Sequence, residues 1–434
     1  MDKLLVTGPS RLAGTVRISG SKNASLGVLA AALVVEGVST LHNVPRTIDV
    51  VTMLDIMRTL GVKADFTDSG AVVVDATNIT NCCPPYHLVR RMRGSFHVAG
   101  PLLTRLGRAD IALPGGCTIG PRPVDFHQRG FVDLGADVRQ AHGMMIARCK
   151  RLKGTRIYLD PRYASVGTTL NLMMAATLAE GQTVIENASR DPDVCDAGRF
   201  LVSAGAGISG IGSSTMTIEG VDRLVSETVH EVCGDRIEAG TFLVGAAVTR
   251  GDVTVTGIDP GHLERPVSIF AAAGLDVHIG PNQVRVVAKR RPNAFDLVTA
   301  PYPGFPTDLQ PPMAVMASVA EGRSVLEEAI FDGRLTYMDE LRRMNAEIKR
   351  VRNIAVIQGV EQLSSAPVRA PDLRAGAALI LAGLNAEGTT EITGIENVDR
   401  GYEGIERKVA SLGAEVRRVP MLGFGGFGAH EISA

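Results

Sequence analysis

The same landmark appears six times along this chain. An apolar helical stretch ends in a glycine turn and then runs into a strand at Glu36-Gly37, Leu106-Gly107, Glu180-Gly181, Arg250-Gly251, Glu321-Gly322 and Glu387-Gly388, with successive glycines about 70 residues apart. A period sustained over the whole chain means that one supersecondary unit is built repeatedly, so any fold must be an assembly of six similar modules. A second landmark keeps the same beat. An amphipathic helix closes on Leu60-Gly61, Leu134-Gly135, Ala204-Gly205, Ala273-Gly274, Met344-Asn345 and Leu412-Gly413. Glycine after the last helical turn is the left-handed cap, and asparagine is the other residue that tolerates that conformation.

Each module reads helix, strand, linker, helix, strand, turn, strand, which makes the chain α/β. The first helix of each unit is alanine-rich, poor in charge and apolar nearly all round, and such helices are buried. The expected arrangement therefore has helices inside, sheets outside and three modules to a domain. A chain of 434 residues is too long for one core and predicts two domains of about 200 residues. Residues 2–21, with strand-like Leu4–Thr7 and Gly14–Ile18, precede the first repeat helix and can pair with either domain, and Ser19-Gly20-Ser21 reads as a hinge.

Composition excludes several classes. With 45% hydrophobic and 21% charged residues the chain is a soluble globular protein, and a net charge of −1 gives no basic field for nucleic acid or an anionic membrane. The longest apolar run, Leu26–Val35, is half of what a bilayer span needs. Six cysteines without C-x-x-C spacing or partnering histidines disfavour structural zinc, and the absence of a secretory signal points to reduced thiols in the cytoplasm. Cys82-Cys83 is a vicinal pair with no evident role.

Chemistry concentrates in loops that follow the helix and strand of each module. Leu113-Pro-Gly-Gly-Cys117-Thr-Ile-Gly-Pro-Arg122-Pro-Val-Asp125 is a loop with a stiff far end. Cys117 is either a buried structural thiol or a functional one; the glycines beside it and Arg122 five residues on favour function. The arginine fixed between two prolines is suited to a phosphate or carboxylate. Lys22 opens the first long helix, where anions are favoured, and Arg334 and Arg400 occupy matching loops of other repeats. Each alone is compatible with a solvated charge; together they predict a ring that binds a compact polyanion between the halves. Asp308 in Phe305-Pro-Thr-Asp308 reads either as a helix N-cap or as a base, and Asp193 and Glu186 either position a ligand or cap local structure.

Five strings, Leu113-Pro-Gly-Gly-Cys-Thr-Ile-Gly120, Arg122-Pro-Val-Asp125, Phe305-Pro-Thr-Asp308, Asp372-Leu-Arg374 and Asp399-Arg-Gly-Tyr402, together with Lys22-Asn23 and the six repeats, resemble the UDP-N-acetylglucosamine 1-carboxyvinyltransferase family of enolpyruvyl transferases. The resemblance implies a pair of inside-out α/β barrels, 22–232 and 1–21 plus 233–434, with the active site in the cleft between them. It also implies transfer of the enolpyruvyl group of phosphoenolpyruvate to the 3-hydroxyl of the nucleotide sugar, the first committed step of peptidoglycan synthesis. The implied roles are Cys117 as proton donor to the enol carbon, Asp308 as acceptor of the hydroxyl proton, and Lys22, Arg122 and Arg400 around the phosphate. Arg334, Arg374 and Arg400 would take the carboxylate, and Arg122, Pro123, Val124, Asp125 and Phe126 the uracil. Arg93, Ser165, Val166 and Gly167 would take the diphosphate, Asn23 would lie at the sugar hydroxyl, and Ile330 completes the binding set. Neither a cofactor nor a metal is implied; the expected assembly is a monomer, and alkylation by fosfomycin is expected. Departures are Ile48 where many members carry Lys or Arg, the longer Asp160–Ala164 segment with Arg162, Leu26-Gly27 in place of Leu-Pro, and a glycine-rich tail from Met421. Two alternatives remain: a paralogue acting on another uridine nucleotide such as UMP, and a catalytically silent nucleotide-sugar-binding regulator.

Overall fold

The structure is a computed structural model describing residues 2–113, 124–160 and 164–421. Its apolar side chains form two separate cores. One joins Leu4–Ile18 to residues between Ile237 and Ala414; the other gathers residues between Ala24 and Val232. Each core is filled by the first helices of the repeats. Every residue of Arg236–Val248 and of Gln310–Ser318 is buried, as are nearly all of Lys22–Ala32 and Leu373–Asn385. Arg236–Val248, Gln310–Ser318 and Leu373–Asn385 pack on one another, with glycine and alanine letting the helices approach closely. Among the described residues no helix is long and apolar enough to cross a membrane.

Six sheets lie outside these helices, five with four strands and one with three among the described residues. In each full module the strand after the buried helix sits between two others. Val38–His42, for example, pairs antiparallel with Val72–Asp75, which pairs with Lys63–Phe66, and parallel with Thr228–Glu231. Side chains alternate, so Val72 and Val74 point into the core. The parallel edge strand comes from a neighbouring module, which closes the modules of each half onto one another. Both strands ahead of the first repeat helix join the second half. Asp2–Gly8 pairs with Gly388–Thr393 and Glu415–Pro420, and Ala13–Arg17 pairs with Asp252–Thr256.

The second landmark takes the conformation its residues predict. Gly61, Gly135, Gly205, Gly274 and Gly413 have φ between 81° and 104°, and Asn345 has φ 69°. At the first landmark the fourth repeat differs: the residue with positive φ is Arg250 (φ 51°), not Gly251. Gly251 is small for another reason, since a Cβ there would lie 2.2 Å from the Leu12 carbonyl oxygen.

The chain passes between the two cores twice, at Ser19–Ser21 and at Cys233–Asp235, and the passages are laced together. Ser21 N donates to Cys233 O (2.7 Å), Asp235 N to Ser19 O (3.0 Å), and Gly20 bridges Gly234. The segment read as a hinge thus lies at the crossing, and side chains bond to it there. Ser19 N donates to Glu238 Oε2 (2.7 Å), and its hydroxyl lies between Glu403 Oε2 and Lys408 Nζ, each at 2.8 Å. Beside it, Ser21 Oγ donates to Asp193 Oδ1 (2.7 Å), and Asp191 pairs with Arg236 (2.7 Å) from the other half. The Asp193 carboxyl is pushed up to about 8, first by burial and then by Asp191, against Arg236 and the Ser21 hydroxyl.

Two outcomes follow from this crossing. A Cβ on Gly20 would sit 1.7 Å from the Asn43 carbonyl oxygen, so Gly20→Ala must move backbone and is expected to lower unfolding free energy by about 1–3 kcal/mol, read from the midpoint of urea unfolding. Asp193 holds a proton in the folded state that the unfolded chain releases near the ordinary 3.8. Its stabilising contribution is therefore complete below that pH and lost as the pH rises to about 8. Asp193→Asn, uncharged throughout, should gain stability relative to the parent protein across that window; parallel stability–pH curves for the two proteins would refute the assignment.

Candidate active site

In four of the six modules the turn that launches the loop is set by a residue with positive φ directly after a strand: Asn43 (58°), Asn187 (56°), Gly257 (83°) and Gly394 (73°). Past these turns the chain enters the second helix of the module; the buried helices begin after the parallel edge strands, and their starts are capped. Ser21 accepts from Ala24 N, Ser165 from Thr168 N, Asp235 from Ile237 N and Glu238 N, and Asp372 from Arg374 N and Ala375 N. The capping aspartate of one half reaches the other, since Asp235 Oδ2 also accepts from Lys22 N (3.2 Å).

Lys22, Arg236 and Arg374 all stand in the first turn of such a helix. A cation there opposes the helix dipole and is buried as well, two costs that need compensation. Each has a carboxylate. Lys22 Nζ is 3.2 Å from Asp49 Oδ2, Arg236 Nη2 is 2.7 Å from Asp191 Oδ2, and Arg374 Nε is 3.0 Å from Asp308 Oδ2. Two further arginines from the loops share these carboxylates. Arg400 Nε meets Asp49 Oδ1 at 2.9 Å, and Arg334 Nη2 meets Asp308 Oδ1 at 3.2 Å. Asp49 thus joins a cation of the first core to a cation of the second.

Of the cations expected in a ring, those among the described residues stand in two paired groups. Lys22 and Arg400 meet on Asp49; Arg334 and Arg374 meet on Asp308. Asp308 is not a helix cap: it lies in the turn Thr307–Leu309, and the helix Gln310–Ser318 starts behind it without a side-chain cap. Arg334 and Arg374 are 2% and 1% exposed, yet among the described residues Arg334 Nε and both terminal nitrogens of Arg374 have no hydrogen-bond partner. Burial works against the Arg374 charge, but Asp308 and then Tyr402, whose ring lies 5.2 Å from the guanidinium, outweigh it and raise its pKa. Buried, charged N–H groups of this kind are poised for an anion.

Asn23 follows Lys22, half-buried. Arg93 begins the turn Arg93–Val98, where His97 is lowered to about 4 by burial and then by Arg93 and Lys22. His127 is lowered to about 3 by burial, His97 and Arg93, and its Nδ1 lies 3.2 Å from Asn171 Nδ2. Both histidines are neutral at pH 7 and flank Gly167, so Arg93 and the Ser165-Val166-Gly167 start do share one place. Val124 is buried and Asp125 exposed at the start of Asp125–Asp133. Phe126 lines a cleft of ≈ 460 Å³ with Arg129, Asp133 and Ile157–Asp160. Ile330 contributes a backbone N–H to Glu328 Oε1 (2.9 Å). Cys117, Arg122, Pro123 and Arg162 lie outside the described residues. Sequence reasoning assigned no role to Asp49, Asp191 or Arg236. A carboxylate among expected anion-binding cations carries no signal until its partners are known.

A profile of the EPSP synthase (3-phosphoshikimate 1-carboxyvinyltransferase) family matches residues 6–409. The UDP-N-acetylglucosamine 1-carboxyvinyltransferase 2 of Carboxydothermus hydrogenoformans is 47% identical over 96% of this chain and 100% of that protein. The UDP-N-acetylglucosamine 1-carboxyvinyltransferase of Geobacter metallireducens is 46% identical over 96% and 100%. Among solved structures, the enolpyruvyl transferase NikO from Streptomyces tendae superposes with a TM-score of 0.86 at 23% identity, covering 96% of this chain and 98% of that one, which bears on the fold alone. With a match across nearly its whole length and relatives this similar, the chain belongs to the EPSP synthase family of enolpyruvyl transferases, and within it to the UDP-N-acetylglucosamine 1-carboxyvinyltransferases.

Proposed function

We propose that the protein transfers the enolpyruvyl group of phosphoenolpyruvate to the 3-hydroxyl of UDP-N-acetylglucosamine and releases phosphate, as a monomer in the cytoplasm, at the entry to peptidoglycan synthesis. The observation that carries this reading is Asp308 held between two buried arginines, with guanidinium N–H groups of both unpaired among the described residues. A carboxylate fixed beside anion-binding groups is what proton removal from an alcohol next to an anionic acceptor requires.

In this reading the sugar oxygen attacks C2 of phosphoenolpyruvate while C3 takes a proton from the Cys117 thiol. Asp308 takes the hydroxyl proton. The tetrahedral adduct then loses C3's extra proton and the phosphate, leaving the enol ether. Lys22, Arg122 and Arg400 hold the phosphate, and Arg334, Arg374 and Arg400 the carboxylate. Arg93, Ser165, Val166 and Gly167 face the diphosphate, Pro123–Phe126 the uracil, and Asn23 and Ile330 the sugar. The acceptor is argued from the relatives, which are named for that activity and are 44–47% identical to this chain.

Phosphate release from phosphoenolpyruvate is expected with UDP-N-acetylglucosamine and not with UMP. Asp308→Asn should lower kcat by about 10²–10⁴-fold, Cys117→Ala should abolish turnover, and fosfomycin should alkylate the parent protein but not the Cys117 variant. Turnover with UMP alone would move the protein to the paralogue reading, and silence with both nucleotides would remove the enzyme reading.

A further inference from the structure

One buried carboxylate outside the substrate-contacting set touches both parts of the Asp308 site. Glu328 is 1% exposed and follows the strand Arg323–Glu327. No cation pairs with it among the described residues; its charge is met by four donors instead. Oε1 accepts from Thr299 Oγ1 (2.9 Å), Ile330 N (2.9 Å) and Phe331 N (3.1 Å), and Oε2 accepts from Thr307 Oγ1 (2.8 Å). Its own backbone is fixed by Asn353, through Glu328 N to Asn353 O (2.9 Å) and Asn353 Nδ2 to Glu328 O (3.0 Å).

The destinations of these bonds matter more than their number. Thr307 immediately precedes Asp308 in its turn. Ile330 and Phe331 lead through two residues to Arg334, which bonds to Asp308 at 3.2 Å. One oxygen of Glu328 thus holds the segment carrying the proposed base, and the other holds the segment carrying the arginine beside it. A surface loop has no intrinsic reason to keep a guanidinium within hydrogen-bond distance of an aspartate on another segment; a shared buried anchor supplies one.

Resting on the reading given under Proposed function, we propose that Glu328 is a positioning residue for the enolpyruvyl transfer: it sets the distance between Asp308 and Arg334 without touching substrate. The Gln variant keeps the volume and one acceptor for the two backbone N–H groups, but turns its amide toward Thr307 and loosens that side. The Ala variant leaves both N–H groups and both hydroxyls without their acceptor.

The test measures kcat and KM for both substrates in the parent protein, Glu328→Gln and Glu328→Ala, with amide hydrogen exchange over peptides covering 305–310 and 329–335. Misplacement of about 1 Å costs on the order of 10²-fold in rate, so kcat should fall about 100-fold in Glu328→Ala and about 10-fold in Glu328→Gln. KM for the nucleotide sugar should stay within about threefold. Exchange should quicken in both peptides of Glu328→Gln and not across the rest of the second core. Glu328→Gln kinetics equal to the parent's, a rise in KM with kcat unchanged, or unaltered exchange in the two peptides would each overturn the proposal. If Glu328→Ala does not fold, Glu328→Gln decides alone. A parent protein silent with both substrates would defeat the functional reading instead, and the exchange measurement would still decide whether Glu328 anchors the two segments.

Discussion

Three cations placed against the dipole of the helices that carry them are the constraint on which the rest of the site depends. Lys22, Arg236 and Arg374 lie in first turns, buried, where a positive charge gains nothing from the backbone and loses its water. Asp49, Asp191 and Asp308 make this tolerable at 2.7–3.2 Å. Two of the three pairs reach further: Asp191 comes from the first core and Arg236 from the second, and Asp49 also takes Arg400 from the second. Holding a dense positive site in the folded state thus also holds the two halves together.

Putting the helices inside makes this geometry possible. In a layered α/β domain the helices cover the sheets, and their ends are spread over the faces. Here Ala-rich helices fill the centre of each half, so the starts of several helices can approach one another and those of the opposite half. The contact of Asp235 with the backbone N–H of Lys22 is a direct case, with the cap of one half's helix meeting the start of another's. The outer sheets close each half by lending an edge strand from module to module, and the first two strands of the chain do this for the second half.

The modules were legible in the sequence because their signals are local. A left-handed cap needs glycine or asparagine whatever surrounds it, and Asn345 at φ 69° shows the exception obeying the same rule. Lys22, Arg334 and Arg400 were legible too, as basic residues recurring at equivalent places, and Arg374 through the resemblance, whereas Arg236 was not. Of their carboxylates Asp308 was singled out, but Asp49 and Asp191 were not. Asp49 lies 27 positions from Lys22 and 351 from Arg400, and Asp308 lies 66 from Arg374, so these pairings exist only in the folded chain, and that of Asp49 with Arg400 only once the halves have assembled. The bonds that hold Ser19-Gly20-Ser21, the segment read as a hinge, were hidden for the same reason. Small residues there signal close packing as well as freedom, and Glu238, Lys408 and Glu403, which decide between the two, are remote in the chain.

Asp308 shows why internal carboxylates suit a site meant for anions. In the resting protein its charge balances Arg334 and Arg374 and offsets part of their cost of burial. In the proposed reaction the same group receives the proton of the attacking hydroxyl and becomes neutral. Two buried guanidinium groups then lose their internal counter-ion while the adduct keeps the full negative charge of phosphoenolpyruvate. The electrostatic attraction thus strengthens between ground state and adduct, and only an interaction that strengthens in this way accelerates a reaction. A permanent counter-ion, such as a carboxylate too far from substrate to take a proton, would screen the arginines equally before and after attack and contribute nothing to the rate.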